Sequence, residues 1–360
     1  MTYSEALRNK TREPVYKIEW LDINENVIDE ITTDVLSGNF SSEHKNGKRR
    51  SCNLIIENND LRYIPNKNGL IYIDKKFKLY TGLYYDGDFE YKSQGIFNLS
   101  NPILSSKKAE KIIQIESFDN WLLFEKKLKT DYIVNVGELI TDVVFNIFQE
   151  ANIPTIPIIY PSNAILPYTI VKQANSTLAD LLLDLANILS WEVFFDNNGK
   201  GRFQPPINTT TTKPIWTFGE NEVTYLGGET NYGYDLVRNS IVIFGENING
   251  DLIVATAQDI NTLSPTNIYK IGEISEIITD NNIYNEELAQ DRANYELEKL
   301  NKIYQNVNFA CIPIDIIKEG DVIIIDDINN GNNRETLIIK NISYPLGYNQ
   351  KENITAFKIM

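Results

Sequence analysis

The stretch LSWEVFFDNNGKGRFQP, residues 189 to 205, poses a choice between an ion-binding loop and a turn joining two strands. An EF-hand calcium loop counted from Asp196 would find Asn198 at its third position and Gly201 at its sixth, both suitable. Lys200 then falls at the fifth and Ile207 at the twelfth. A cation replaces a ligand oxygen, and an apolar side chain replaces the closing bidentate carboxylate, so the pattern is excluded. Trp191, Val193 and Phe195 alternate with Glu192 and Phe194, and Arg202-Phe203-Gln204 resumes after Asn198-Gly199. Asn-Gly tolerates the positive φ angles of a tight turn, which predicts a β-hairpin.

A helix feeds that hairpin. Thr177 opens STLADLLLDLANIL with Asp180 at the capping-box position, where Glu or Gln is the commoner choice. Only Asp180, Asp184 and Asn187 are polar in it, which predicts a largely buried helix. Upstream, VGELITDVVFNIFQEANIP (136–154) carries Leu139/Ile140, Val143/Val144 and Ile147/Phe148 as one helical stripe, ended by Pro154. The middle of the chain reads as two helices on a small sheet.

On either side the period changes to strands. Tyr16, Ile18 and Trp20 alternate with Lys17 and Glu19, and further strands are expected at 27–36, 38–43, 51–57, 70–73, 77–85, 89–98 and 110–117. Asn46-Gly47, Asn68-Gly69, Asp86-Gly87-Asp88 and Asn101-Pro102 punctuate them. Short strands at this spacing indicate an antiparallel barrel or sandwich. From 207 the pattern returns at 214–219, 221–229, 239–247 and 251–259, and the chain ends in three or four more strands. One helix interrupts, 285–304, with an apolar stripe of Ala289, Ala293, Leu297, Leu300 and Tyr304 and an i,i+4 pair Glu298–Lys302.

Composition removes most chemistries. The 360 residues hold 42% hydrophobic and 11% aromatic side chains, enough for sizeable folded cores. A net charge of −15 opposes general nucleic-acid binding. Cys52 and Cys311, far apart in sequence, make neither a disulfide framework nor a zinc spacing and are read as small buried hydrophobes. No metal or cofactor is expected, and no catalytic residue: the one histidine, His44, lies in a basic loop without a nucleophile motif and is read as solvated. GKG at 199–201 lacks the phosphate-loop spacing, and acidic pairs such as Asp326/Asp327 and Glu286/Glu287 are what 49 acidic residues supply by composition. No signal peptide opens the chain and no apolar run approaches a membrane span, so synthesis in the cytoplasm is expected. The run His44–Arg50 concentrates four cations in an acidic chain. It reads either as a solvated turn or as a contact with an acidic neighbour. In the second reading Lys48, Arg49 and Arg50 touch another subunit. Tyr-rich YTGLYYDGD (80–88) is the best candidate for an aromatic receptor-binding loop.

Taken in order along residues 15 to 345, the motifs resemble those of baseplate hub proteins of phage tails and related contractile particles. They are VYKIEWLD, NGKRRSCNLIIEN, YTGLYYDGDFEYKSQGIFNLSNP, IIQIESFDNWLLFEKKL, STLADLLLDLANILSWEVFFDNNGKGRFQP, LVRNSIVIFGEN, SPTNIYKIGE, NEELAQDRANYELEKL and EGDVIIIDD. The resemblance implies a mainly β, α+β chain with two tail-tube-like antiparallel β-barrels. The first would span 1–125, a mixed α/β domain 126–206, a connecting β segment 207–249 and the second barrel 250–360. It further implies a homotrimer forming a pseudo-hexameric ring. Such a ring would adapt a hexameric tail tube or distal tail protein to a trimeric spike or tail-tip protein, in a virion tail or tail-like particle, with DNA only as passive cargo. Many relatives continue into a peptidase, lysozyme or receptor-binding module, and no such extension follows here. The alternative is the hub-like part of a non-contractile tail-tip protein with a receptor-binding or cell-wall-degrading role.

Overall fold

The computed structural model describes the chain apart from residues 1, 10, 108–109, 209–210, 248–249, 281–282, 284, 348–349 and 360. It falls into two compact units: residues 1–228 with 309–356, and residues 229–308 with 357–360.

The first unit is organised on a long, mainly antiparallel sheet. Part of its path runs Asn332–Leu346, Val35–Glu43, Arg50–Glu57, Glu110–Phe118, Asp88–Lys107, Lys76–Tyr85, Glu13–Leu21 and Val27–Ile31. Val322–Asp327 pairs with Asn332–Leu346 and, in parallel, with Trp216–Gly219. The fold is mainly β, as expected. The sheet joins N- and C-terminal strands of the chain. Leu346 stands opposite Gly38 and Asn341 opposite Glu43, so each strand satisfies backbone groups that the other would otherwise leave open. Alternation fills one face: Ile18 and Trp20, Cys52, Leu54 and Ile56, Phe77 and Leu79, and Ile113 and Ile115 are all buried.

Local chemistry sets the details. Asp86 and Gly87 both have positive φ (56° and 89°) between the paired Tyr85 and Asp88, a two-residue turn suited to strand twist. Residues 70–73, expected as a strand, form turns. Asp88–Lys107 runs straight through Asn101-Pro102, which was read as a stop. Pairing with Lys76–Tyr85 ends at Asn98 and pairing with Glu110–Phe118 begins there, so Pro102 lies where one neighbour has gone. A missing N–H is tolerated in such a place.

The mixed region of this unit packs helices Ile140–Glu150 and Leu178–Leu189 on the hairpin Glu192–Phe195/Gly201–Gln204, with Ile158–Ile159 parallel to the second strand. The capping box at Thr177 forms in full: Thr177 Oγ1 accepts from the Asp180 amide at 3.1 Å, and Asp180 accepts from the Thr177 amide at 2.8 Å. Phe124, Val144, Phe148, Leu181, Leu182, Leu185, Phe195 and Phe203 make the shared core.

In the second unit Ser240–Glu246 is the centre of a three-stranded sheet. Leu252–Gln258 flanks it antiparallel and Ser275–Thr279 parallel. Helix Glu286–Leu300, capped by the Asn285 side chain, covers one face through Ala289 and Ala293 against Ile241, Ile243, Ile253 and Ala255. Its ion pairs are Arg292–Glu296 and Lys299–Glu296; Lys302, expected to pair with Glu298, lies beyond the last helical turn.

Candidate functional site

The basic turn joins strands Val35–Glu43 and Arg50–Glu57, and it does not project into solvent. Gly47, at φ 91°, lies over the Trp121 ring, where a Cβ would approach to 3.4 Å. Its amide donates to the Val193 carbonyl at 2.9 Å, and Asn46 brackets the same strand, donating to Trp191 O at 3.1 Å and accepting from Val193 N at 3.0 Å. The turn is thereby stitched onto the hairpin that follows the second helix.

Arg49 and Arg50, 5% and 3% exposed, turn inward. The Arg49 guanidinium stacks 3.4 Å from the centre of the Phe194 ring and donates to Glu192 at 3.2 Å. Arg50 donates to the Phe195 carbonyl and forms an ion pair with Glu319, itself buried. Both backbone amides donate to Asp119 Oδ2, at 3.0 and 2.9 Å, and Asp119 Oδ1 accepts from Trp121 N at 3.1 Å. Burial pushes the Asp119 carboxyl up to about 6, against the pull of those donors and of Arg50. Lys48 remains at the rim, 2.9 Å from Glu125 and over the Phe118 ring. His44 is largely buried too, with Nε2 3.3 Å from Glu192 and burial holding its imidazole below the ordinary value.

One expectation is corrected: His44 is not a solvated loop histidine. Within the chain Arg49 and Arg50 are engaged by carboxylates, because two desolvated guanidinium groups require partners within reach. The carboxylates that complete the cluster, Asp119, Glu192 and Glu319, were not singled out from sequence. Glu192 alternates with Trp191 and Val193 in sequence, yet Glu192–Phe195 is buried on both faces.

The loop at 196–200 is closed by its own aspartate. Asp196 accepts from the amides of Asn198 (2.9 Å) and Lys200 (3.0 Å) and from Arg202 Nε (2.8 Å). The Gly199 amide donates to Asp196 O, and of the turn only Gly199 has positive φ, 77°. This is a three-residue loop with a glycine in the left-handed position, in place of the two-residue Asn-Gly turn the sequence suggested. An arginine on the carboxylate occupies the place a cation would take.

No protein-family model and no curated protein matches the chain. Among solved structures it is similar to the tail protein from Neisseria meningitidis MC58, with TM-score 0.66, 10% identity and 96% of each chain covered. It is also similar to the prophage MuSo2 43 kDa tail protein from Shewanella oneidensis, with TM-score 0.63, 13% identity, and 95% of this chain and 98% of that one covered. The fold is that of these tail proteins. A third likeness, to a chain of the Francisella PdpA–VgrG complex, has TM-score 0.57 and 11% identity and covers 96% of this chain but 57% of that one.

Within this fold the other chemical candidates are spent on structure. Asp327 accepts from Tyr225 OH at 2.6 Å and from Asn330 at 2.7 Å, while Asp326 faces Arg334 at 3.8 Å. Glu286 and Glu287 occupy the first turn of their helix, where carboxylates favour the dipole. Cys52 and Cys311 are buried free thiols. Among the described residues no three His, Cys, Asp or Glu side chains gather as a metal site, and no helix is long and apolar enough to cross a membrane. In the 80–88 hairpin, Tyr84 packs on Phe89 (4.8 Å) and Phe89 on Tyr91 (6.3 Å), with Phe89 55% exposed.

Proposed function

We propose that the chain is the structural hub of a phage tail or tail-like particle: a homotrimer whose pseudo-hexameric ring adapts a hexameric tail tube to a trimeric spike or tail tip. The observation that carries this reading is the end-to-end likeness to two tail proteins, covering at least 95% of this chain and of each partner. Supporting it, the buried arginines, the closed Asp196 loop and the capped helices spend the polar side chains on rigidity, as a scaffold requires. The role is non-enzymatic, and no cofactor takes part. A net charge of −15 suits a ring through which DNA passes as unbound cargo, since like charge keeps phosphate from adhering. Partners are other copies, the tube or distal tail protein, and the spike. The location is the virion tail or an equivalent particle.

Light scattering on the purified chain, then imaging of particles assembled with its tube and spike proteins, tests the reading. A trimer located between tube and spike is the expected result. A monomer that is absent from assembled particles would overturn it. The exposed aromatic group Tyr84, Phe89 and Tyr91 favours a second reading, a tail-tip hub that touches a receptor. Loss of host adsorption by F89S particles that assemble normally would support that alternative.

A further inference from the structure

Arg49 and Arg50 of the turn are consumed internally, and a group of solvent-facing cations lies elsewhere. Lys126, Lys127 and Lys129, from the run EKKLK, are all exposed. Among the described residues Lys126 and Lys129 have no hydrogen bond or ion pair, and Lys127 donates only to a backbone carbonyl, Asn175 O, at 2.9 Å. The three line a cleft of about 350 Å³ whose floor includes Leu123 and Leu178 and whose wall carries one carboxylate, Glu150. Its backbone is fixed: Leu128 N donates to Ser176 O at 2.8 Å and Ala179 N to Phe124 O at 3.1 Å. The result is a preformed hollow with leucines in its lining and a basic rim, in a chain of net charge −15.

The matching chemistry is present on the same chain. Residues 22–30, DINENVIDE, hold four carboxylates and no cation. They form the hairpin between Glu13–Leu21 and Val27–Ile31, the latter the end strand of the sheet path. Ile23, Val27 and Ile28 stand out from it at 52%, 57% and 45% exposure. Of these carboxylates the Glu25 side chain is buried against Lys76 at 2.9 Å and Asn120 at 3.1 Å, and Asp29 pairs with Arg62. The two less engaged are Asp22, which accepts from Asn24 and Asn26, and half-exposed Glu30, 3.5 Å from Lys17.

We propose that the Lys126–Lys129 cleft docks the 22–30 hairpin of a second copy, with an apolar side chain on the leucine floor and carboxylates against the lysine rim. Copies that each carry −15 repel one another, so association depends on such a local reversal of sign. A contact between two different surfaces of one chain is head-to-tail, the kind that closes into rings. The proposal rests on the hub reading only for its setting.

The test uses the full chain and a fluorescein-labelled peptide copied from residues 22–30, read by anisotropy at low and high salt. Wild type is expected to bind the peptide saturably, and more weakly at high salt. The K126E/K129E variant, which removes no hydrogen bond or ion pair, should melt as wild type does and bind about tenfold or more weakly, a difference of about 1.4 kcal/mol. A peptide with Ile23 and Val27 replaced by Ser should lose a similar factor. Sedimentation should show concentration-dependent self-association in wild type that K126E/K129E weakens. Absence of peptide binding, or peptide binding without self-association of the chain, overturns the proposal. So does equal or better binding of polyphosphate or an oligonucleotide, which would make the cleft a phosphate site. Self-association that ignores K126E/K129E also sinks the docking site while leaving the hub reading intact. Cleft-dependent self-association in a chain that never joins particles would sink the hub reading alone.

Discussion

Arg50 shows how much one residue can be asked to hold. It links the first sheet, the hairpin of the mixed region and the 319 loop through Asp119, Phe195 and Glu319. Removing one member of a buried ion pair costs about 3–5 kcal/mol, because the other charge stays desolvated. Arg50→Met is therefore expected to lower the unfolding free energy by about that amount, as measured by denaturant melts. R49E/R50E, which adds two carboxylates beside Asp119, Glu192 and Glu319, should fail to fold.

A second residue-scale prediction concerns Glu352, fully buried beside Asp315 and Arg12, with Oε2 accepting from Ile314 N at 2.7 Å. Burial first, and Asp315 after it, push its carboxyl up to about 8, and burial pushes Asp315 up to about 6. Between the ordinary carboxyl value and these raised ones, the folded chain keeps protons that the unfolded chain releases. Stability is then fullest at low pH and falls as pH rises through about 6 and about 8. Melting temperature should decline from pH 6 to pH 8, and Glu352→Gln should remove the upper part of that decline. A flat wild-type profile over this window would contradict the assignment.

At the scale of elements, the helix Leu178–Leu189 and the hairpin after it act as one piece. Thr177→Ala removes the side-chain half of the capping box and should cost about 1 kcal/mol. Gly201 has an ordinary backbone, yet a Cβ there would meet the Phe148 ring at 2.0 Å. Gly201→Ala must displace the aromatic core of the mixed region, for about 1–3 kcal/mol. Both are read as shifts in denaturation midpoint, and a neutral Gly201→Ala would mean that the hairpin is not seated as described.

At the scale of the molecule, the first unit is assembled from both ends of the chain. Residues 309–356 contribute strands to the sheet begun by residues 13–57, and 229–308 are inserted between them in sequence. A fragment ending at residue 228 lacks Asn332–Leu346, the partner of Val35–Glu43, and leaves that edge and its apolar face open. It should show no cooperative melt by circular dichroism. Replacing 230–307 by a short Gly-Ser linker should leave a cooperatively melting protein.

Local patterns were sufficient wherever a residue's environment is set by its near neighbours. Thr177 and Asp180 announce a helix start because their partners are three residues away. Asp86-Gly87 announces a turn because φ is an intrinsic preference, and Ala289 with Ala293 marks a buried helical face by spacing alone. The order of such signals was enough to indicate a mainly β tail-hub fold. Tertiary structure decided whatever depends on distant partners. Nothing near Arg49 or Arg50 in sequence indicates Glu192 or Glu319, and a run of cations looks the same whether solvated or buried. Likewise, alternation in Val35–Glu43 shows that it is a strand but not that residues 341–346 will pair with it. Edge pairing satisfies the same backbone groups whichever strand supplies them, so only the folded chain selects the partner.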